Sequence, residues 1–329
     1  MKKDSEFKAV ILAGGSGERF WPLSTPERPK QFLRVFGGES LIRQSVARLG
    51  GLVKPENVFV ITSKDLVATT RRELPEVPAG NIVGEPMRRD TGAAVALGLA
   101  AAGRGVVGFF PSDQMVREPA KFRAAVKKAI AAARKSATIV TLGITPDYPS
   151  TGFGYVDPKT GRFVEKPDLK TAKSYLRRGY LWNAGMFIAR TETFRAAFAA
   201  HAPQLEPLLA SRASRLASVY AALPKISFDF AVMEPLSRRP GAVSVIPGEF
   251  GWDDVGSFAA FDTYFPHDSR GNVREGPCTV VEADGNICVA RSARISLLGV
   301  KNLVVITTPD SVLVADKSRL GEMKRLFKR

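Results

Sequence analysis

Cysteine and histidine are scarce in this chain, which has two of each among 329 residues. Two thiols, Cys278 and Cys288, without a leading signal segment are typical of a reducing compartment, so we expect free cysteines and a cytoplasmic location. Long apolar runs are also lacking, and none reaches the length that a membrane span requires. The sequence therefore predicts a protein without a membrane partner.

Acidic residues are few relative to basic ones, since 32 Asp and Glu face 48 Lys and Arg, giving a formal net charge of +16. Such an excess raises the question of nucleic-acid binding, because phosphate backbones attract clustered cations. The basic residues here are mostly dispersed, and no nucleic-acid recognition motif is present. We therefore expect no nucleic-acid partner, and we interpret the charge as partly a means of attracting anionic substrates.

Two common phosphate-binding motifs are absent, the Gly-Lys-Ser/Thr of Walker A and the G-x-G-x-x-G dinucleotide fingerprint. Instead, an apolar run over residues 9–13 predicts a buried strand that breaks at once into three glycines. Glycines there let backbone N–H groups approach a phosphate, and an arginine and a lysine follow as cations suited to a triphosphate. The residues that define this loop are Gly14, Gly15, Gly17, Arg19 and Lys30.

Strand and helix patterns alternate through the first two thirds of the chain, which predicts βαβ units and a parallel sheet with helices on both faces. In such sheets ligands bind beyond the carboxyl ends of the strands, where we expect the loops carrying Gly14 and Asp113 to meet. The predicted strands are Val58–Ile61, Val106–Phe110 and Ala137–Leu142, and the predicted helices are Ser40–Leu49, Gly92–Ala102, Pro119–Arg134, Thr191–Ala200 and Ala210–Leu223.

The residue pattern changes after residue 268, where short β-like segments alternate with turns that contain Gly, Asp and Pro. We predict one domain over residues 1–268 and a small β-rich domain over residues 273–329 that ends in a basic helix from Ser318. The weak strand-turn repetition is compatible with a β-helix-like coil, although the repeat is too short to require one.

Two aspartates occupy positions suited to metal ligands. Asp113 follows the predicted strand Val106–Phe110, and Asp254 lies in a Trp-Asp-Asp-Val-Gly-Ser segment. Mg²⁺ is usually held by one or two carboxylates together with substrate phosphates. The alternative is that each aspartate caps a helix or closes a turn, and for an isolated aspartate that alternative would be favoured.

Three further segments carry polar residues, and each has two alternative interpretations, one as a ligand contact and one as part of the structure. Lys166, fixed before a proline, is a point charge for an anionic group or one half of a surface salt bridge. Asn183 can donate and accept hydrogen bonds with sugar hydroxyls, or it forms part of a turn. The segment Gly84–Ala93 leads into a small-residue helix with Asp90 or Thr91 as its cap, or it gives a flat base room to bind.

In this order, the segments resemble the mannose-1-phosphate guanylyltransferases, also called GDP-mannose pyrophosphorylases. The resemblance spans roughly residues 8 to 258, and the β-like tail also resembles the family's C-terminal region. The matching segments are LAGGSGERFWPLS, RPKQFL, GEPMRRDTGAA, PSDQ, TLGITPDYPSTGFGYV, FVEKP, WNAGMF, FDFAVME and WDDVGS.

The resemblance implies a Rossmann-like, mixed but mainly parallel sheet of the nucleotide-diphospho-sugar transferase type, with GTP and mannose 1-phosphate as substrates. The nucleotide-binding residues it implies are Leu12, Ala13, Gly14, Gly15, Gly17, Glu85 and Thr91. The implied catalytic cations are Arg19, Lys30 and Lys166, the Mg²⁺ ligands are Asp113 and Asp254, and the sugar-binding residues are Gly154, Glu165, Asn183 and Asp229.

Two departures from the family pattern limit what is carried over. Gln114 stands where the family often has histidine, so no role for that histidine is transferred, and Phe258 is a mild change in the last motif. His201 and His267 cannot supply the metal cluster of the isomerase domain that longer members carry, so we expect a transferase alone.

Alternative functions stay open at this point. One is a nucleotidyltransferase for another sugar 1-phosphate, such as a heptose or glucose derivative, and another is a homologue that binds nucleotide sugars without catalysis. The simultaneous presence of the cations and carboxylates disfavours the second. The oligomeric state is also open, with a homodimer among the candidates.

Overall fold

The computed structural model describes residues 6–15, 17–210 and 215–327. It divides into two compact units. The first consists of the chain up to Gly14 together with Ile42–Trp252, and the second of Gly15–Leu41 together with the chain from Asp253 onward. Among the helices of these ranges, none combines the length with the apolar composition that a membrane-spanning helix requires.

The first unit is built on a nine-stranded sheet with the order β10-β6-β9-β4-β1-β2-β3, to which β7 and β8 are added beside β9. The pairs β1–β2, β1–β4, β2–β3 and β6–β10 are parallel, whereas β9 runs antiparallel to β4 and β6. The strands of this sheet are β1 (Phe7–Ala13), β2 (Val58–Ser63), β3 (Ile82–Glu85), β4 (Val106–Pro111), β6 (Ile139–Ile144), β7 (Tyr155–Val156), β8 (Phe163–Val164), β9 (Leu181–Arg190) and β10 (Val243–Pro247), while β5 (Met115–Val116) and β11 (Trp252–Asp253) lie outside it.

Helices of the first unit pack on this sheet, and the mixed, mainly parallel fold predicted from the sequence is confirmed. The central strands are apolar along nearly their whole length because they are buried on both faces. The helices are α1 (Leu41–Ala47), α2 (Val67–Glu73), α3 (Asp90–Ala102), α4 (Pro119–Lys135), α5 (Leu169–Arg177), α6 (Thr191–His201), α7 (Glu206–Leu209), α8 (Leu216–Ala222) and α9 (Glu234–Leu236).

The small residues of α3 serve helix–sheet packing. A Cβ on Gly98 would lie 2.7 Å from the Val10 side chain on β1, and a Cβ on Gly92 would lie 2.7 Å from the carbonyl oxygen of Ile226. Ala93 and Ala96 are fully buried. Gly98 therefore brings α3 close to the sheet, and Gly92 lets the start of α3 approach the Ile226 carbonyl.

Two predictions about the middle of the chain have different outcomes. The sequence pattern predicts two extended segments, residues 152–156 and 163–167, joined by a turn at 158–161, and this pair is confirmed because β7 and β8 form an antiparallel hairpin. The interpretation of Asn183-Ala184-Gly185 as a turn is wrong, since these residues lie inside β9 between β4 and β6. Gly185 has φ +69°, and the pairing of β9 with β6 shifts register beside it. A bulge in a long buried strand thus produces a turn-like local sequence.

The second unit contains short parallel strands in its C-terminal part. β12, β14 and β16 pair in parallel, β17 closes this sheet antiparallel to β16, and β13 pairs with β15. Both cysteines are free, as predicted, and both are buried. The elements are α10 (Ala260–Tyr264), β12 (Val273–Glu275), β13 (Cys278–Val281), β14 (Ile287–Ala290), β15 (Ile295–Leu298), β16 (Leu303–Thr308) and β17 (Ser311–Asp316).

The last described segment, Lys317–Phe327, has 3-10 geometry, where the sequence predicted a basic helix from Ser318. It buries Leu320 and Met323, and it contacts the 3-10 turn Glu18–Phe20 of the same unit. This contact is one reason why the segment after Gly14 forms a compact unit with the C-terminal strands.

Candidate active site

The carboxyl ends of the parallel strands gather several of the predicted site residues of the first unit. Leu12 and Ala13 close β1, Glu85 closes β3, and Asp113 follows β4. The backbone N–H of Ser112 donates to the carbonyl of Leu12 at 3.1 Å, so the loops carrying Gly14 and Asp113 meet, as predicted. Parallel strands end at one edge of a sheet, which is where ligands bind in this architecture.

Glu85 lies against the start of the glycine loop. Its Oε2 is 3.3 Å from the position that a Cβ on Gly14 would occupy, so glycine at this position leaves room for the carboxylate. Glu85 is only 7% exposed, whereas Gly14 is exposed. Burial is the main cause that raises the pKa of Glu85 to about 7. The negative charge of Asp90 raises this pKa further, whereas the hydrogen bond from Tyr220 lowers it. This edge therefore joins an exposed glycine backbone to a buried carboxylate.

Thr91 connects this edge to the Phe-Asp-Phe segment. Its hydroxyl accepts a hydrogen bond from the backbone N–H of Phe228 at 2.9 Å, and Gly92 N–H donates to Ile226 O at 3.1 Å. The first turn of α3 thus fixes the segment that carries Asp229. Asp90, with φ +67°, accepts from the N–H of Thr91.

The loop that carries Asp113 is held by a buried arginine that the sequence did not single out. The Arg48 guanidinium donates to the carbonyls of Gln114 at 2.8 Å and Pro111 at 3.1 Å, and also to Ser45 Oγ. Burial lowers the pKa of Arg48 to about 10, while the negative charge of Asp113 opposes that shift. Arg48 therefore stabilises the backbone on either side of Asp113.

Replacing Arg48 with methionine is expected to lower the free energy of unfolding by about 2–4 kcal/mol, because buried carbonyls lose their donors. We also expect kcat of the transfer reaction that the family resemblance implies to fall about tenfold, since the loop that carries Asp113, a candidate metal ligand, is no longer held. Arg43→Met is the matched control, because Arg43 is half-exposed and its backbone partner is Glu73 O. Urea unfolding of both variants gives the comparison, and equal losses would contradict the role given to Arg48.

Asn183 is the centre of a polar network in the first unit. Its Oδ1 accepts from Thr141 Oγ1 at 2.8 Å and from Gly185 N–H at 3.0 Å, and its Nδ2 donates to Asp229 Oδ1 at 2.9 Å. Three of the four hydrogen-bonding positions of this amide are therefore used within the protein. Asn183 is buried at 8% exposure. Its first effect is to orient Asp229.

Glu165 and Lys166 form a charged pair beside this network. Lys166 Nζ donates to Glu165 Oε1 at 2.7 Å, and the Glu165 side chain is buried while Lys166 is half-exposed. Burial opposes the charged form of Lys166, but the hydrogen bond and charge of Glu165, with Asp229 and Asp90, raise its pKa overall. A Cβ on Gly154 would lie 2.5 Å from Glu165 Oε2, so only glycine leaves room there. The result is a protonated lysine fixed in direction but open to a ligand.

Asp229 completes the network at the first position of a π-helical turn, Asp229–Met233. Such turns are rare and are frequent at functional sites. Burial and the negative charge of Glu165 raise the pKa of Asp229 to about 7, although Lys166 and Asn183 partly offset the rise. Near neutral pH, Asp229 is therefore poised between a donor and an acceptor.

Asp229→Asn is expected to change the pH dependence of stability. A carboxyl whose pKa is raised by folding stabilises the protein below its unfolded pKa and loses that contribution as pH rises through about 7. The variant has no such contribution to lose. Its melting temperature minus that of wild type should therefore be about 3–6 °C higher at pH 8 than at pH 5. Thermal unfolding at both pH values measures the difference.

Asp157→Asn serves as the control for this effect. Although desolvation opposes the change, hydrogen bonds from Lys159 and Thr160 lower the pKa of Asp157, so it should give no gain between these pH values. An identical pH dependence in the two variants would show that Asp229 does not titrate as described.

The remaining candidates belong to the second unit. Gly17 has φ +65°, and a Cβ there would lie 2.4 Å from Lys30 N, so this position requires glycine. Arg19 is exposed in the turn Glu18–Phe20. Lys30 is 7% exposed, and its Nζ donates to the carbonyl of Asp254 at 2.6 Å. Lys30 thus ties the glycine loop to the segment that carries Asp254.

The Asp254 segment has an unusual backbone of its own. Val255 has φ +49°, and its N–H donates to Asp253 Oδ1 at 2.7 Å. A Cβ on Gly256 would lie 3.0 Å from Asp254 Oδ2, so glycine there gives the carboxylate its space. Asp253 therefore shapes the turn, and Asp253 and Asp254 are both half-buried.

The residues present fit a hydrated magnesium ion better than a dedicated metal cage. In the described part of the chain, no group of three or more His, Cys, Asp and Glu side chains gathers at one point. Gln114 Oε1, next to Asp113, is buried with no hydrogen-bond partner among the described residues. Oxygen donors in small number suit Mg²⁺, which keeps several waters and is completed by substrate phosphates.

Gln114, Thr141 and Tyr220 are functional-site neighbours that sequence reasoning missed. Gln114 Nε2 donates to Ala184 O at 2.9 Å, and Tyr220 OH donates to Glu85 Oε1 at 3.1 Å. Each pair joins residues distant in the chain, so no local pattern reveals it. Only the departure at Gln114 gave a signal, because that residue replaces a histidine in the family pattern.

Comparisons with known proteins agree with this geometry. The nucleotidyl transferase family matches residues 8–270, and the MannoseP isomerase/GMP-like beta-helix domain matches residues 276–329. A mannose-1-phosphate guanylyltransferase of Escherichia coli is 34% identical, with 98% of this chain and 73% of the relative covered. Mannose-1-phosphate guanylyltransferase ManC of Salmonella typhimurium is 33% identical, with coverages of 99% and 74%.

A crystal structure from Thermus thermophilus, named mannose-1-phosphate geranyltransferase, is similar with a TM-score of 0.87 at 36% identity. The similarity covers 98% of this chain and 99% of that chain. The β-helix match confirms the β-helix-like arrangement considered for the C-terminal strands. From its sheet, its glycine loop and its relatives over nearly the whole length, this chain belongs to the mannose-1-phosphate guanylyltransferase family of nucleotidyl transferases.

Proposed function

We propose that this protein transfers the guanylyl group of GTP to α-D-mannose 1-phosphate, giving GDP-mannose and pyrophosphate. Its relatives named for this activity support the substrate pair. The observation that carries the proposal is that the first unit contains both a nucleotide-suited edge and a sugar-phosphate-suited polar network. An exposed glycine edge beside the buried carboxylate of Glu85 suits a nucleotide, and the network of Glu165, Lys166, Asn183 and Asp229 suits a sugar phosphate.

The reaction is an in-line displacement at the α-phosphorus of GTP. A phosphate oxygen of mannose 1-phosphate forms the new P–O bond, and the bond between the α-phosphorus and the oxygen that bridges to the β-phosphorus breaks. The electron pair leaves with pyrophosphate. Because the nucleophile is already an anion, the reaction requires alignment and charge neutralisation but no general base.

Each cation of the site has a proposed role in this displacement. Lys166 holds the phosphate of the sugar substrate, and the Glu165 carboxylate fixes the direction of its ammonium group. Arg19 and Lys30 neutralise the charge that develops on the β- and γ-phosphates as pyrophosphate leaves. Asp113 and Asp254 are the proposed ligands of Mg²⁺, which when bound would supply further neutralisation of phosphate charge.

The substrate contacts are assigned to three parts of the protein: the carboxyl ends of the parallel strands, the polar network around Asn183, and the glycine loop. We propose that Glu85 binds the guanine base, with Thr91 supporting the pocket. Backbone N–H groups would hold the phosphates, and Asp229 with Asn183 would face the mannose hydroxyls. The proposed phosphate-binding backbone comprises Leu12, Ala13, Gly14, Gly15 and Gly17, and the proposed sugar contacts also include Gly154 and Glu165.

Three further proposals concern the context of the enzyme. Cytoplasmic location is supported by the two free thiols, which are typical of a reducing compartment. A homodimer is proposed as the assembly, to be tested by light scattering. We also propose residues 1–268 as the catalytic domain and residues 273–329 as the accessory β domain.

The proposed activity is tested by incubating the purified protein with GTP, mannose 1-phosphate and Mg²⁺ and separating the products by liquid chromatography with mass spectrometry. GDP-mannose and pyrophosphate should appear in equal amounts, and a chelator should stop their formation. Hydrolysis of GTP to GDP without a sugar product would contradict the transfer. Binding of GDP-mannose without turnover would instead indicate a non-catalytic homologue.

A further inference from the structure

A buried tyrosine reaches the candidate base-binding carboxylate from a distant part of the chain. Tyr220 lies on α8 with no exposed surface, and its hydroxyl donates to Glu85 Oε1 at 3.1 Å. The two residues are 135 positions apart, so the contact depends on the tertiary fold. A buried carboxylate needs such a donor, because without one its desolvation is uncompensated.

The position of α8 is itself fixed by the loop that follows Glu85. Arg89 donates from Nε to Tyr220 O at 2.9 Å and from Nη2 to Ala221 O at 3.1 Å. These carbonyls are at the C-terminal end of α8, where a cation is also favoured by the helix dipole. The phenol of Tyr220 therefore approaches Glu85 in a constrained direction.

The charge of Glu85 depends on few neighbours. Burial raises its pKa to about 7, the Tyr220 hydrogen bond lowers it, and the Asp90 carboxylate at the start of α3 raises it. Burial and the charge of Glu85 raise the pKa of Tyr220, so the phenol stays protonated and can act as a donor. Near neutral pH, the Tyr220 hydrogen bond therefore favours the ionised form of Glu85.

The ionisation of Glu85 matters for the choice of base. The Watson–Crick edge of guanine offers two donors, N1–H and the 2-amino group, and an ionised carboxylate accepts from both. A protonated carboxyl offers a donor of its own, which opposes guanine but pairs with the N1 acceptor of adenine. A group that keeps Glu85 ionised thus selects guanine over adenine.

We infer that Tyr220 is a positioning residue for base selection, whose hydroxyl holds the Glu85 carboxylate as an oriented acceptor for the guanine edge. The inference rests on the proposed function, because it requires that Glu85 binds the base. Tyr220 acts through Glu85, so its removal should alter nucleotide preference and its pH dependence while leaving use of mannose 1-phosphate unchanged.

Tyr220→Phe tests this role with little change in packing, since only the hydroxyl is removed. We expect the Kd for GTP at neutral pH, measured by calorimetry without the sugar substrate, to be about tenfold larger than in wild type. The GTP-over-ATP preference should narrow, and the GTP affinity should largely recover as pH rises to about 8.5, because Glu85 then ionises without help. A general structural defect would not be repaired by raising the pH.

Tyr155→Phe is the matched control. Tyr155 is also fully buried, and its hydroxyl donates to Ser150 O at 2.9 Å. This variant loses a buried phenol hydrogen bond as well, but we expect the base preference and the pH midpoint of GTP binding to stay as in wild type.

A second measurement follows Glu85 without any nucleotide. The carboxyl signals of protein labelled with ¹³C-glutamate are titrated by NMR, and Glu85→Gln identifies the signal of Glu85. The midpoint should move to higher pH in Tyr220→Phe and stay unchanged in Tyr155→Phe. An unchanged midpoint and an unchanged GTP-over-ATP ratio in Tyr220→Phe would overturn the inference.

The two measurements separate failure of this inference from failure of the proposed function. If wild type prefers GTP and Glu85→Gln removes that preference, but Tyr220→Phe does not narrow it, only the role of Tyr220 is refuted. If Glu85→Gln leaves the preference intact, Glu85 does not bind the base, and both the base assignment and the inference are overturned. If wild type shows no preference for GTP, the proposed function itself fails.

Discussion

Replacing Asp254 with asparagine should lower kcat for GDP-mannose formation by about a thousandfold, and Asp113→Asn should do the same. Each change keeps the size of the side chain but removes a negative charge that we propose as a ligand of Mg²⁺. A neutral amide is a weaker ligand for this hard cation, so the Mg²⁺ concentration needed for half-maximal activity should also rise. Steady-state rates measured across a Mg²⁺ titration give both quantities.

The adjacent aspartate provides the control for Asp254. Asp253 accepts a hydrogen bond from Val255 N–H at 2.7 Å, and an asparagine can keep that bond through its carbonyl oxygen. Asp253→Asn should therefore lose less than about tenfold in kcat and keep the Mg²⁺ requirement of wild type. If Asp253→Asn were the more damaging change, the metal ligand would have been assigned to the wrong member of the pair.

The second large effect concerns Lys166. Lys166→Met should lower kcat/KM for mannose 1-phosphate by about two to three orders of magnitude, because the ammonium group is proposed to hold the sugar phosphate in both the ground and the transition state. Lys166 has a left-handed backbone conformation at φ +43°, and Glu165 holds its ammonium group, so another lysine of the chain does not take its place. The KM for GTP should change little.

Lys159→Met is the control for the loss of a positive charge in this region. Lys159 is exposed in the turn of the same β7–β8 hairpin, and its side chain is given no part in the proposed chemistry. Its replacement should leave both substrate parameters within about twofold, as is usual for an isolated surface charge. Equal effects of the two replacements would mean that Lys166 acts only through the overall charge of the protein.

The parts of the fold that the sequence predicts well are those whose local pattern and tertiary role agree. The apolar run of β1 becomes a central strand, and the amphipathic pattern of α4 matches a helix that is buried on one side. The carboxyl-end position of Asp113 also followed from the sequence, because it comes directly after an apolar strand. In these segments, the hydrophobic period alone determines both the element and its burial.

Prediction failed where tertiary contacts decide the local conformation. Asn183 and Gly185 form a turn-like sequence, yet they lie in β9, where Asn183 pairs with Gly143 of β6 and its N–H donates to the carbonyl of Gly154. The contribution of Lys30 was only partly visible, since its position after the glycine loop indicated a cation. Its burial and its bond to Asp254 O depend on a residue 224 positions away.

Base selection shows the same limit more clearly. Family resemblance pointed to Glu85, but nothing in the sequence near α8 indicates that Tyr220 reaches it. The carboxylate at the end of β3 and the phenol on α8 are joined by packing against the first unit's core, in which Tyr220 takes part. Long-range polar pairs of this kind become visible only when the fold is known.

The measurement that tests the central claim most directly is pyrophosphate release with every combination of GTP, ATP, UTP and dTTP with mannose 1-phosphate and glucose 1-phosphate. We expect kcat/KM for GTP with mannose 1-phosphate to exceed that of every other pair, by about a hundredfold or more where the base is changed. A different preferred pair would contradict guanylyl transfer to mannose while keeping the displacement chemistry. No release with any pair, by protein that still binds GTP, would contradict the catalytic role itself.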